Sequence, residues 1–249
     1  MKRQTSNARR SETTTMQTGI ISFCEKQAYN IKSEDVKKSI LETIETRTEG
    51  HIKIIQKHFD NLAQHHFTKL NKSPHLVSLR SNGNPYLLIL TKYNFSNIAV
   101  FIDKKVKPSY YLPRMIITNL RFRNHMFNDT LFDGEMVKTA SGDWTFIIND
   151  IYAHKHQSLA GMNILKRLEI IDDILSNDFQ QQNIKELQIC NMTIKRYFLY
   201  SQLKYMIEEF APMLDYTCRG IYFTPLYYKF KQVLYNFDDN LIQKVIKIK

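Results

Sequence analysis

Apolar residues recur at helical spacing in two stretches near the start of the chain. Val36, Ile40 and Ile44 follow Ser33, Glu34 and Asp35, a pattern that predicts a helix capped by Ser33 with two acids in its first turn. Beyond Gly50, the stripe Ile52, Ile55, Phe59 and Leu62 predicts a second helix. From about residue 75 the pattern changes. Tyr86–Thr91, Ile98–Ile102 and Trp144–Tyr152 are rich in β-branched and aromatic residues and predict strands, with a turn at Asn82-Gly83-Asn84-Pro85. Helical spacing returns over 158–176 through Leu159, Met162, Leu165, Leu168, Ile171 and Leu175. Leu187–Tyr200 reads as a strand, or a strand running into a loop, and Ser201–Leu214 as a helix. Ile221–Thr224 and Val245–Ile248 read as strands. No repeat and no Gly/Pro-rich linker interrupts the series, so the pattern predicts an α+β chain built on one antiparallel core. Residues 1–18 are Arg/Ser/Thr-rich and aperiodic and read as a flexible basic tail, with a helical region over 19–73.

One stretch fits neither period cleanly. In Thr130-Leu131-Phe132-Asp133-Gly134-Glu135-Met136-Val137, apolar flanks ask for burial. In an extended segment Asp133 and Glu135 share one face. Burying two like charges there is costly unless a metal, a ribose, a lysine or a hydrogen-bond network compensates. The alternative is an acidic hairpin tip, because Asp-Gly is a favoured tight-turn dipeptide.

Composition narrows the partners. Of 249 residues, 43% are hydrophobic and 24% charged, enough for a packed core. The net charge of +11 points to a polyanion such as RNA, DNA or nucleotide phosphates. Cys24, Cys190 and Cys218 are far apart and make neither a disulfide framework nor a zinc ribbon, which fits a reducing intracellular compartment. His58, His65 and His66 cluster without a completing ligand, so no zinc site is expected and they read as partly exposed helix residues. No apolar run reaches the roughly 20 residues that span a bilayer, and no membrane partner is expected.

Other chemistry-bearing residues fall in a set order around Asp133-Gly134-Glu135. Lys92 ends an apolar strand, and Ile102-Asp103-Lys104 ends the next. Asn149-Asp150 lies downstream, then Arg219-Gly220-Ile221-Tyr222-Phe223, and finally Lys247 and Lys249. This order resembles the nucleotidyltransferase domain of mRNA-capping guanylyltransferases, especially those of large DNA viruses, within the covalent nucleotidyltransferase superfamily that includes ATP-dependent ligases. The likeness covers about residues 74–249. It implies an antiparallel-sheet nucleotidyltransferase core, here with no C-terminal OB-fold. It implies Lys92 as the nucleophile of the family's K-x-D-G-x-R. Asp103, Lys104, Asp133, Glu135, Asp150, Arg219, Lys247 and Lys249 would line the nucleotide site, with Mg²⁺ and GTP as cofactor and substrate if the domain is active.

The chemistry fits those residue types. A lysine that attacks an α-phosphate must be a free amine, and other lysines neutralise the charge that develops. Carboxylates hold ribose hydroxyls or Mg²⁺. The motifs are nonetheless altered. Asn94-Phe95 stands where the resemblance asks for Asp-Gly, Asn97 where it asks for arginine, Asn149 for an aromatic residue, and Arg219 for an acid. The reading that follows is a degenerate capping-enzyme-like domain that binds a guanine nucleotide, an RNA 5′ end or a cap without catalysis. Tyr93, Phe95, Tyr222, Tyr227 and Tyr228 would be the stacking aromatics. The alternatives are an active guanylyltransferase forming a lysyl-GMP intermediate at Lys92, with a partner subunit supplying a lid, and a structural or assembly subunit that keeps the fold only.

Overall fold

The computed structural model describes residues 16–52, 59–105, 112–180, 188–227, 231–238, 240 and 242. Two sheets carry the fold. The first has nine strands among the described residues. It begins with a hairpin, β1 (Thr18–Phe23) and β2 (Lys26–Ile31). Next in chain order come β5 (Asn84–Tyr93), β6 (Ser96–Asp103), β7 (Met115–Thr118) and β8 (Thr130–Lys138). β9 (Trp144–His154), β10 (Gln157–Ser158) and β11 (Asn191–Ile194) complete it. The spatial order is β1-β2-β7-β6-β5-β8-β9-β10, with β11 parallel to β9. The second sheet has the order β12-β4-β13-β14-β3. Its strands are β3 (Phe59–Asn61), β4 (His75–Ser81), β12 (Phe198–Leu199), β13 (Cys218–Pro225) and β14 (Gln232–Asn236).

Burial follows the period of two along each strand. On β5, Leu87 and Ile89 pack beneath helix α1 (Glu34–Arg47), which contributes Val36, Ile40 and Ile44. Leu88 and Leu90 face the other way, into a core with Phe101, Phe132 and Ile148 that helix α3 (Ile164–Asn177) closes with Ile171 and Ile174. Sheet one is therefore covered on both faces, which is why β5 reads as a continuous apolar run. A third core lies on the second sheet: Val77, Leu79, Ile221, Phe223 and Val233 pack with Met206 and Ala211 from a run of 3-10, α and π turns between Tyr200 and Met213.

Several expectations change. The region 19–73 is not wholly helical: its first hairpin joins sheet one, and β3 joins sheet two. The second helical stripe fails at Phe59, which starts β3; Ile55 lies outside the described residues, and α2 (Gln64–Lys72) forms later. Ser33 precedes α1, but its hydroxyl accepts from the Gln17 amide at 2.8 Å instead of capping the helix. His66 is buried rather than exposed, and its Nδ1 accepts from the Ala63 amide at 3.0 Å; His58 lies outside the described residues. The helix predicted over 158–176 starts at Ile164, where the Asn163 side chain accepts from the Lys166 amide. The basic tail falls largely in undescribed residues 1–15, and Val245–Ile248 lies wholly outside the described residues. No described helix is long and apolar enough to cross a membrane.

Candidate nucleotide-binding site

Asp133-Gly134-Glu135 lies in the middle of β8, between β5 and β9, and is no hairpin tip. Gly134 has no positive φ. A Cβ there would meet the Ile147 carbonyl oxygen at 2.5 Å and the Phe146 ring at 2.5 Å, so close packing requires the glycine. Both flanking carboxylates are buried.

The buried charge is compensated by lysine and hydrogen bonding. Lys104 Nζ donates to Asp133 Oδ1 at 2.6 Å, and the Tyr152 hydroxyl donates to Oδ2 at 3.2 Å. Glu135 Oε2 accepts from Lys195 Nζ at 2.8 Å, from the Ser81 hydroxyl at 2.6 Å and from the Ser81 amide at 3.0 Å. Asp150, opposite Asp133 on β9, takes a two-pronged contact from Arg167 on α3: Nε at 2.7 Å and Nη2 at 2.9 Å. Arg167 is 1% exposed and also donates to the Met162 carbonyl. Each carboxylate thus has its own buried or nearly buried cation.

Local irregularity places these groups. The β8–β9 register slips twice, leaving Tyr152 and Asn149 as extra residues on β9. Such bulges re-aim side chains and free main-chain groups. Here one bulge residue supplies the hydroxyl on Asp133, and the Asn149 carbonyl accepts from Tyr197 at 2.9 Å. Tyr197 sits among all three carboxylates; burial, then Asp150, Asp133 and Glu135, hold its hydroxyl well above its ordinary pKa. Tyr222 from β13 is raised in the same way, by burial first and then Glu135, and its ring lies 5.5 Å from Lys195 Nζ. The Asn149 side-chain oxygen is buried without a hydrogen-bond partner.

The structure does not assemble every residue expected at the site. Leu87 lies opposite Asp133, and Lys92 stands five residues further along β5. An odd offset puts Lys92 on the other face, and five residues span about 17 Å. Lys92 is exposed and donates to Asn128 at 3.0 Å. The candidate nucleophile is therefore remote from the carboxylates. Asp103 also stays apart and accepts from the Lys105 amide at 2.7 Å. Arg219 is exposed at a bulge in β13, and its carbonyl accepts from Phe237. Lys247, Lys249 and Tyr228 lie outside the described residues. Tyr93 ends β5 at its remote end and Phe95 lies in the turn beyond it, so they do not stack at the carboxylates. Lys104, Asp133, Glu135 and Asp150 do converge.

Sequence reading missed Ser81, Lys195, Arg167 and Tyr197. Arg167 had a signal: it falls on the Ile164, Ile171 and Ile174 stripe of α3, where a buried arginine demands a buried acid. Arg80 is a further addition. It pairs with Gly220 in register, on the same β4 face as Ser78 opposite Tyr222, and Nη1 donates to Asn236 at 2.6 Å. Its register partner Gly220 directly follows the Arg219 bulge.

The donor set does not suit Mg²⁺. The three carboxylates are engaged by cations, and no group of three His, Cys, Asp or Glu among the described residues is arranged to hold a metal ion.

A comparison with curated protein sequences returns no match. Among solved structures, a Lig E DNA ligase is similar at 12% identity and a TM-score of 0.39, covering 74% of this chain and 70% of that one; at that score it assigns no residue a role. The model of the family described as mRNA capping enzyme, catalytic domain, matches residues 17–242, so it takes in the β1–β2 hairpin as well as both sheets. This antiparallel-sheet α+β chain therefore belongs to the mRNA capping enzyme catalytic-domain family.

Proposed function

We propose that this domain binds a guanine nucleotide, an RNA 5′ end or a cap without transferring a nucleotidyl group. The observation that carries the reading is the pairing of each site carboxylate with its own cation. Covalent transfer needs an amine free to attack phosphorus. The lysines beside the carboxylates, Lys104 and Lys195, instead donate to Asp133 and Glu135. Arg80 offers a guanidinium, which stays protonated and binds phosphate but does not act as an amine nucleophile. Lys92 is on the opposite face.

Binding has support of its own. The chain carries +11, Arg80 pairs in register with Gly220, and the exposed Arg219 precedes Gly220 at the bulge in β13. A phosphate group placed there gains two forked donors without displacing the buried ion pairs. Tyr222, whose ring lies 5.5 Å from Lys195 Nζ, and the half-exposed Tyr227 just beyond β13 are the aromatics offered for stacking.

The test is a fluorescence titration with GTP, m7GTP and a short capped RNA over a salt series. Saturable binding that weakens with salt and falls in Arg80→Glu and Arg219→Glu is expected. Binding that neither charge reversal alters would move the ligand elsewhere. No binding of any of the three would leave the scaffold role.

A further inference from the structure

The far end of the β5–β6 hairpin carries a side chain that packing does not require. Asn94 and Phe95 have φ of 46° and 64°. Two successive left-handed residues make the tight turn that suits strand twist, and glycine is the favoured second residue. Phenylalanine is disfavoured there by its Cβ. Yet Phe95 is 103% exposed, so its ring buries nothing in return.

The surface around it is basic. Lys92 donates to Asn128 and Asn97 to Asn124, which tie the hairpin to the 3-10 turn Asn124–Phe127. Arg121 and Arg123, just before that turn, are exposed. So is Lys155, whose amide donates to Thr130 opposite Leu90. The acids at this end are mostly withdrawn. Asp129 is buried and accepts from Arg47 and His156, and Asp178 is buried beside His125 at 3.0 Å, with the largely exposed Arg123 at 3.9 Å. Asp173 on α3 is an exposed acid at the border.

We propose that this hairpin tip is a second contact for single-stranded RNA, in which Phe95 stacks on an unpaired base and Lys92, Arg123 and Lys155 take neighbouring phosphates. An exposed ring among cations is the combination that holds unpaired strands, because every base has a stacking face and every linkage a charge. The tip stands apart from the carboxylates: Pro85 lies opposite Glu135, and Lys92 is seven residues further along, about 23 Å. It would hold the body of an RNA rather than its end.

The test uses a circular single-stranded RNA, which has no 5′ end to offer the carboxylate site. Phe95→Ala should weaken its binding by about 5- to 150-fold, and Phe95→Trp should retain it. Lys92→Ala and Lys155→Ala should each flatten the dependence of log K on log salt by about 0.7. GTP binding should be unchanged in all four variants, which separates this contact from the carboxylate site. The exposed ring can be removed without unfolding, and an unaltered urea midpoint checks this. Unchanged RNA affinity in Phe95→Ala overturns the proposal, including the case where the ring serves a protein partner instead.

Discussion

Removing the guanidinium of Arg167 is the sharpest stability test of the site. The side chain is 1% exposed and grips Asp150 through two hydrogen bonds of 2.7 and 2.9 Å. Arg167→Leu keeps an apolar side chain in the space but leaves the Asp150 carboxylate, itself 6% exposed, with the Ile151 amide and without this cation. Breaking one side of a buried ion pair costs about 3–5 kcal/mol. For a chain of this size that is a fall in Tm of about 6–20 °C. Urea unfolding at pH 7 measures the loss. The deficit should shrink as pH falls, because a buried carboxyl that has lost this cation gains stability by binding a proton. Arg167→Leu with Asp150→Leu should recover most of it, since replacing both charges by apolar groups is often neutral. A loss below about 1 kcal/mol for Arg167→Leu, or a double variant no better than the single, would show that this guanidinium does not neutralise Asp150.

Other outcomes follow from the same geometry. Gly134→Ala forces a Cβ to 2.5 Å from the Ile147 carbonyl oxygen and from the Phe146 ring, and should cost about 1–3 kcal/mol in urea unfolding. Phe95→Gly relieves the left-handed strain and should raise stability by about 0.5–1 kcal/mol while weakening RNA binding. His154 is held below its ordinary value of 6.5, by burial first and then by Lys155, against Asp178 and Asp173. The unfolded chain therefore takes up the proton first, and stability should fall as pH drops below about 6.5. His154→Gln should reduce that slope in a pH series of unfolding midpoints.

Much of the fold was legible because period-two patterns are local. Tyr86–Thr91, Ile98–Ile102 and Trp144–Tyr152 are all strands, each longer by one or more residues than its apolar run. The hairpin β1–β2 was not legible, since Lys26, Gln27 and Asn30 dilute its pattern at the sheet edge. Asp133, Glu135 and Asp150 could be found because acids inside apolar strands are expensive and conspicuous. Their cations could not be paired from sequence: Lys195 lies 60 residues from Glu135, after a strand of only four residues. Lys92 misled because a lysine ending an apolar strand says nothing about which face it takes, and a single step of register reverses the face.

Retention of [α-³²P]GTP by the protein, measured first under native conditions with a divalent metal and again after denaturation, tests the central claim most directly. Saturable native retention that is lost entirely on denaturation is the predicted result. Label that survives denaturation on a lysine would make the domain an active guanylyltransferase and contradict the account.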